Sequence, residues 1–193
     1  MTATAFPANP RARPNGWWGM ALFAAAEATL VAAIVGSYFY LRVNTAVWPP
    51  RGIPEPSLAA PLLLTALLLV AIVPFQAAVA LGRRGQRERA FALVAVAACA
   101  QAAYFGIQIH LFTDSLDRFT PQSSAYASIY YVLLGASHAH VALGLLFDLW
   151  LLMRLAFRLT PYRLRALESV GLYWIVVSAL TIAVTITELS PRL

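Results

Sequence analysis

The chain has 193 residues, of which 61% are hydrophobic and only 11% are charged, and its mean hydropathy is +0.71. Its net charge of +6 comes from fourteen arginines, with no lysine, set against eight carboxylates. This composition excludes an ordinary soluble domain. Because the arginines cluster between apolar runs, they indicate membrane topology rather than a nucleic-acid surface. We therefore predict an integral membrane protein.

The first predicted membrane helix covers residues 17–42, after a proline-rich lead-in, residues 1–16, that we expect to be disordered and cytoplasmic. At about 1.5 Å of rise per residue, this run can cross a hydrocarbon layer roughly 30 Å thick. Its ends carry Trp, Tyr and Arg42, which are residue types found at membrane interfaces. Glu27 lies ten residues into the run, where a charged group is costly, so we expect a neutral acid that donates a hydrogen bond.

Four further apolar runs predict membrane helices, which cover residues 57–82, 88–113, 126–154 and 166–190. Residues 44–56 contain four prolines and are expected to be a non-helical connection. The short basic and polar segments between the other runs leave no room for a soluble domain. The predicted fold class is therefore all-α, a polytopic membrane protein whose single domain, residues 17–193, is a bundle of five transmembrane helices.

Orientation follows from the distribution of the arginines. Alternate connections place ten arginines on the side of the N-terminus and four on the other side. By the positive-inside rule, the N-terminus is expected in the cytoplasm and the C-terminus outside. Glu27 then lies in the cytoplasmic half of the first helix.

Two kinds of residue pattern indicate which helix faces contact protein. Ala28, Ala32 and Gly36 recur every four residues and predict a face where another helix approaches closely. Polar residues recur at helical spacing on the last three helices, as Gln101, Tyr104 and Gln108, as Ser137, His140, Gly144 and Asp148, and as Ser178, Thr181, Thr185 and Glu188. Because polar groups inside a bilayer need partners, the default interpretation is a set of interhelical hydrogen bonds.

The sequence contains few residues that could bind a metal ion or act as a nucleophile. His138 and His140 lie about 200° apart around a helix and cannot share one ion. With only His110 and Cys99 besides, the chain has too few ligands for haem or copper, so we expect no redox centre in it. Ser137 belongs to a Gly-Ala-Ser sequence like that of intramembrane serine proteases, which leaves a hydrolase as a minor alternative. A transporter would need paired, broken helices, which this sequence does not provide.

The run from residue 17 to 42, WWGMALFAAAEATLVAAIVGSYFYLR, resembles the W-G-x-x-x-F-x-x-x-E helix of subunit III of haem-copper cytochrome c oxidases. It also ends in that family's Y-F-Y-L-R, which includes Arg42. Glu27 falls on the family's intramembrane glutamate, the residue that a hydrophobic carbodiimide attacks. In the fourth run, ASIYYVLLGASHAHVALG resembles the family's G-S-x-F-F-x-x-T-G-x-H-G-x-H-V. His140 matches the second family histidine, whereas Ser137 stands in place of the first and His138 replaces a glycine.

In the fifth run, LESVGLYWIVVS is similar to the family's E-x-x-x-x-Y-W-H-F-V-D. Glu168, Tyr173 and Trp174 match, whereas Ile175 and Ser178 depart from the family's His and Asp. The resemblance covers residues 17–189 in the right order and matches the five-helix form of a family that typically has seven helices. The departures weaken any proton relay through this chain but not its membership.

The resemblance implies an accessory, non-catalytic subunit of a proton-translocating terminal oxidase in a bacterial plasma membrane. Such a subunit packs on subunit I in a complex that also contains subunit II. It binds structural phospholipid and supports proton uptake and stability during oxygen reduction, while haem and copper reside in the partner subunits. A subunit III-like protein associated with nitric oxide reductase shares these motifs and remains the alternative.

Overall fold

The computed structural model describes residues 15–192. Five long helices make up most of them: α1 (Asn15–Val43), α2 (Ala59–Arg83), α3 (Arg87–Leu116), α4 (Ala125–Phe157) and α5 (Pro161–Leu189). Each helix is long and apolar enough to cross a membrane. Two short 3₁₀ turns, Pro121–Ser123 and Ser190–Arg192, complete the regular structure of the described chain. The prediction of an all-α bundle with five membrane helices is confirmed.

The observed helix boundaries agree with the predicted ones within a few residues, except at the start of α5. The basic segment before residue 166 is helical from Pro161, so its prediction as a loop is wrong. The Thr160 side chain accepts a hydrogen bond from the Arg163 backbone N–H at 3.3 Å, and proline suits the first position of a helix. The predicted lead-in also ends too late, because α1 begins at Asn15; residues 1–14 lie outside the described part of the chain.

The centre of the bundle is α5, which contacts α1, α2 and α4. Its apolar window is more buried than that of any other helix. The remaining contacts pair α2 with α3, α3 with α4, and α1 with α4. The two largest aromatic side chains in the middle of α5, Tyr173 and Trp174, are almost completely buried. The polar stripe of α5 therefore faces protein on several sides, as its spacing predicts.

Tyr38 joins α1 to the following connection and to the end of the chain. Its hydroxyl accepts hydrogen bonds from Trp48 Nε1 at 2.9 Å and from Ser190 Oγ at 3.3 Å. The Tyr38 and Trp48 rings pack edge to face, and Trp48 packs in the same way on Tyr126 of α4. The proline-rich connection is thus non-helical, as predicted, and is anchored on the bundle.

The inner face of α1 consists of Ala24, Val31 and Tyr38, which are buried and seven residues apart. The small-residue ridge of α1 lies elsewhere on the helix. Ala28 is half-buried, but Ala32 and Gly36 are exposed, and no atom lies within 4 Å of a Cβ built on Gly36. The expected close approach at Ala32 and Gly36 therefore does not occur among residues 15–192, and it stays a prediction for contact with a partner.

Helices α4 and α5 approach each other closely at Gly144. A Cβ added to Gly144 would lie 2.6 Å from Cζ2 of Trp174, so only glycine fits beneath this ring. The indole Nε1 of Trp174 donates a hydrogen bond to Asp148 Oδ1 at 2.9 Å. Because Asp148 lies four residues after Gly144 on α4, one glycine and one carboxylate together hold the indole.

Replacing Gly144 with Ala is expected to destabilise the bundle, because the added methyl group would overlap the Trp174 ring. Overpacking of this kind costs about 1–3 kcal/mol. Thermal unfolding of the purified protein, followed by circular dichroism, should show a lower midpoint. Gly106→Ala on α3 is the matched control, since no atom lies within 4 Å of its added Cβ. Equal midpoints for the two variants would contradict the prediction.

Candidate functional site

Three of the family-matching residues meet between α1, α4 and α5. Glu27 Oε2 on α1 lies 2.6 Å from His140 Nε2 on α4. The Tyr173 hydroxyl on α5 donates a hydrogen bond to the backbone carbonyl of His140 at 2.8 Å. We call Glu27, His140 and Tyr173 the α1–α4–α5 site. One acid, one imidazole and one phenol from three helices thus converge on a single turn of α4.

The protonated nitrogen of His140 follows from its neighbours. His140 Nδ1 contacts the carbonyl oxygen of Ala136, and a carbonyl oxygen only accepts, so Nδ1 carries a hydrogen. His140 Nε2 then faces Glu27 Oε2, although the two atoms do not have the angles of a regular hydrogen bond. Because a lone pair on Nε2 would repel a carboxylate oxygen, the contact requires one proton between the two side chains. The pair is then electrically neutral overall, which explains how Glu27 is accommodated in a membrane helix.

The two members of the pair differ in exposure. The His140 side chain is 7% exposed, whereas that of Glu27 is 24% exposed. Glu27 therefore lies at the surface of the bundle, where it can also contact groups outside this chain. Tyr173 closes the inner side of the site, because its ring stacks on Phe23 and packs edge to face against Phe147. The pair thus lies between the bundle interior and its surface.

Trp174 borders the α1–α4–α5 site on α5 and has a different partner. Its hydrogen bond to Asp148 is buried, and the second carboxylate oxygen, Oδ2, has no hydrogen-bond partner among the described residues. The sequence places Asp148 on an inner face but does not identify Trp174 as its partner. A signal for the pairing exists, because a buried indole N–H and a buried carboxylate each need a partner.

Glu168 and Arg42 lie away from the α1–α4–α5 site. Glu168 Oε1 accepts a hydrogen bond from Arg83 Nε at 2.7 Å, an ion pair that joins α5 to the end of α2. Arg83 is 60% exposed, so the pair contributes little stability in water. Arg42 is half-buried in the last turn of α1, fifteen residues beyond Glu27. The family-matching residues therefore lie in at least three separate places in the fold.

Residues 12–187 match the family described as cytochrome c oxidase subunit III. This chain belongs to that family. It is a subunit III of a terminal oxidase, and the predicted resemblance is confirmed.

Several curated relatives of this subunit III come from bacteria. It is 29% identical over 162 residues to cytochrome bo(3) ubiquinol oxidase subunit 3 of Pseudomonas aeruginosa. This match covers 83% of this chain and 77% of the relative. Cytochrome c oxidase subunit 3 of Bacillus sp. (strain PS3) is 28% identical over 187 residues, covering 90% of this chain and 87% of the relative. Cytochrome c oxidase subunit 3 of Bacillus subtilis is 28% identical over 184 residues, and the match covers 90% of this chain and 86% of the relative.

The residues that depart from the subunit III motifs have other neighbours. Ser137 lies beside the Tyr104 hydroxyl and has no hydrogen bond to a histidine within residues 15–192. His138 is buried edge-on against Phe112 of α3, with ring centroids 5.2 Å apart. His110 is exposed and lies 3.6 Å from Asp114. These positions give no Ser–His pair in the described chain, so the geometry does not favour the hydrolase alternative.

Replacing Glu27 with Leu is expected to destabilise this subunit III, because it removes the carboxylate that lies 2.6 Å from the buried Nε2 of His140. A loss of about 1–3 kcal/mol is expected from an unpaired buried polar group. Glu27→Gln should lose less, since its amide can donate to Nε2. Thermal unfolding midpoints in the purified complex measure both effects.

A double-mutant cycle with Glu27→Leu and His140→Phe measures the interaction energy between these two side chains, apart from their other contacts. Residues in contact typically show coupling of about 0.5–3 kcal/mol. The matched control is a cycle between Glu27→Leu and Gly106→Ala. Gly106 is exposed on α3, which is not among the main neighbours of α1. Additive effects of the Glu27 and His140 substitutions would contradict the contact.

Proposed function

We propose that this subunit III is the accessory, non-catalytic subunit of a haem-copper cytochrome c oxidase in a bacterial plasma membrane. In this proposal it packs on subunit I, in the same complex as subunit II, and supports proton uptake and stability during oxygen reduction. The observation that carries the proposal is the match of residues 12–187 to the subunit III family. All three relatives described above are oxidase subunits, which favours an oxidase over an association with nitric oxide reductase.

The proposal assigns haem and copper to the partner subunits. Support comes from what the histidines of this chain already contact. His140 lies between Glu27 and the Ala136 carbonyl, and His138 packs against phenylalanine rings. Within residues 15–192 there is also no group of three or more His, Cys, Asp or Glu side chains that could hold a metal ion.

Proton uptake is proposed to involve the α1–α4–α5 site. The Glu27 and His140 side chains need one proton between them, and Glu27 is partly exposed at the surface of the bundle. With the N-terminus in the cytoplasm, as the arginine distribution favours, Glu27 lies in the cytoplasmic half of α1. The site therefore lies on the expected cytoplasmic side, at a surface available to a partner subunit.

Phospholipid binding is proposed for a groove of about 860 Å³ between the start of α1, α4 and the start of α5. Its walls are mainly apolar and include Met20, Phe147 and Trp150. Arg165 and Tyr162 lie at the same groove, among the arginines assigned to the cytoplasmic side. An acyl chain would contact the apolar walls while Arg165 binds the anionic headgroup.

Removing this subunit from the complex is expected to leave its haem and copper content unchanged. The number of turnovers before inactivation should fall, and proton uptake from the N-terminal side should become slower. Optical spectra, metal analysis and stopped-flow measurements with a pH indicator dye test these outcomes. Adding back the purified subunit is the control and should restore both properties. Loss of haem or copper together with the subunit would contradict the proposal.

Replacing Arg165 with Gln is expected to reduce the amount of anionic phospholipid that remains bound, because the groove loses its positive charge. Native mass spectrometry of the complex, followed by lipid extraction, measures the bound lipid. Arg84→Gln is the matched control, since Arg84 is exposed on the same side but does not line the groove. Equal lipid retention in both variants would contradict the assigned site.

A further inference from the structure

The inward-facing polar side chains of α3, α4 and α5 form a column along the bundle axis. Its middle is the Tyr104 hydroxyl, which accepts a hydrogen bond from Gln108 Nε2 at 3.2 Å. The hydroxyl groups of Ser137 on α4 and Thr181 on α5 lie beside the same atom. Side chains from three helices therefore meet at one level in the bundle.

The column continues from Tyr104 towards the C-terminal end of α5. One turn after Thr181, the Thr185 hydroxyl lies 2.7 Å from the hydroxyl of Thr65 on α2. Next, Glu188 Oε1 accepts a hydrogen bond from the Tyr130 hydroxyl at 3.4 Å, and Glu188 is only 8% exposed. A buried carboxyl group thus ends the column on this side.

Two polar side chains extend the column in the other direction. Gln101 lies three residues before Tyr104 on α3, and Ser178 lies three residues before Thr181 on α5. These two helices cross the membrane in the same direction. They are therefore at about the same depth. Both residues are buried, and Gln101 Oε1, Gln101 Nε2 and Ser178 Oγ have no hydrogen-bond partner among residues 15–192. A buried amide that makes none of its hydrogen bonds is costly, and ordered water commonly satisfies such groups.

A cavity gives access to the column at the Glu188 end. It has a volume of about 200 Å³ and lies between α2, α3, α4 and α5, with Gln108, Tyr130 and Glu188 among its lining residues. Asp114 and Arg118 also line it, near the end of α3. This volume exceeds the space that one water molecule needs, and the lining offers the two or more polar partners that a bound water requires.

The opposite end of the column is closed. The Trp174 ring fills the space above Gly144, as the 2.6 Å approach to an added Cβ shows. Trp174, Tyr173 and Val141 are buried at this level. These packed side chains therefore lie between the column and the Glu27–His140 pair.

We propose that this column binds water, which enters through the cavity at Glu188 and reaches Gln101 and Ser178. Water then supplies the hydrogen bonds that Gln101 and Ser178 do not make within the protein, and Glu188 exchanges its proton with the aqueous phase on the C-terminal side. The column does not cross the membrane, so it provides hydration without a leak. The proposal depends on the membrane fold and not on the assignment to an oxidase.

Silver ions, which are small enough to follow water, test access to the column. Ser178→Cys is made in a Cys99→Ala background, and the whole complex is reconstituted in sealed vesicles. Ag⁺ added on the C-terminal side should protect the new thiol from alkylation after denaturation, as measured by mass spectrometry. Ag⁺ added on the N-terminal side should react more slowly. Ala179→Cys is the matched control, because Ala179 is the next residue but is exposed on the outside of the bundle.

A Ser178→Cys thiol that Ag⁺ does not protect in the native complex, or that reacts equally fast from both sides, would overturn the proposal. Gln101→Met provides a second, independent measurement. If water binds the amide, the substitution lowers the thermal midpoint; if the site is dry, it raises the midpoint, because an unpaired polar group is removed. The Gln76 amide donates directly to the Gly171 carbonyl. Gln76→Met therefore gives the decrease in thermal midpoint that is expected when a satisfied amide is removed.

Discussion

Every polar group inside a membrane-spanning bundle must find its partner within the protein or in bound water, and this constraint determines the arrangement of the five helices. The helix with the longest polar stripe, α5, is the most buried one, and it contacts α1, α2 and α4. Its side chains form hydrogen bonds with two of these neighbours: Tyr173 and Trp174 donate to α4, at the His140 carbonyl and at Asp148, and Thr185 pairs with Thr65 on α2. A more peripheral α5 would leave these groups facing lipid.

The polar groups form two systems that Tyr173 and Trp174 separate. On one side, Glu27 and His140 form a pair at the surface of the bundle, where Glu27 is partly exposed. On the other side, the hydroxyl, amide and carboxyl groups between Tyr104 and Glu188 lie inside the bundle. The residues of the first system match the subunit III motifs in the sequence. The second consists mostly of residues outside the family motifs; Tyr130, Ser137 and Ser178 fall within the motifs, and Ser137 and Ser178 depart from the family's residues.

The exposed surface of α1 indicates where a partner is needed. Ala32 and Gly36 form a strip of small, exposed residues, and no atom of the described chain lies within 4 Å of a Cβ built on Gly36. In a single subunit, this strip contacts lipid. In a terminal oxidase complex, a helix of another subunit can approach it closely, as small residues permit. Glu27 lies on a different face of α1, toward His140, where its side chain is 24% exposed.

The sequence alone determines the number of helices, their approximate boundaries and the family, because apolar runs and motif spacing are properties of a single segment. It also shows that Tyr104, Gln108 and Glu188 face inward, since helical periodicity defines a face. Only the tertiary structure pairs Glu27 with His140 and Asp148 with Trp174, because periodicity does not reveal which helix packs on a given face. The same limit explains why the Ala32 and Gly36 ridge is predicted as a packing face yet lies outside the bundle: the rotation of α1 about its own axis is decided by Tyr38 and Val31, whose burial against neighbouring helices is a property of the whole fold.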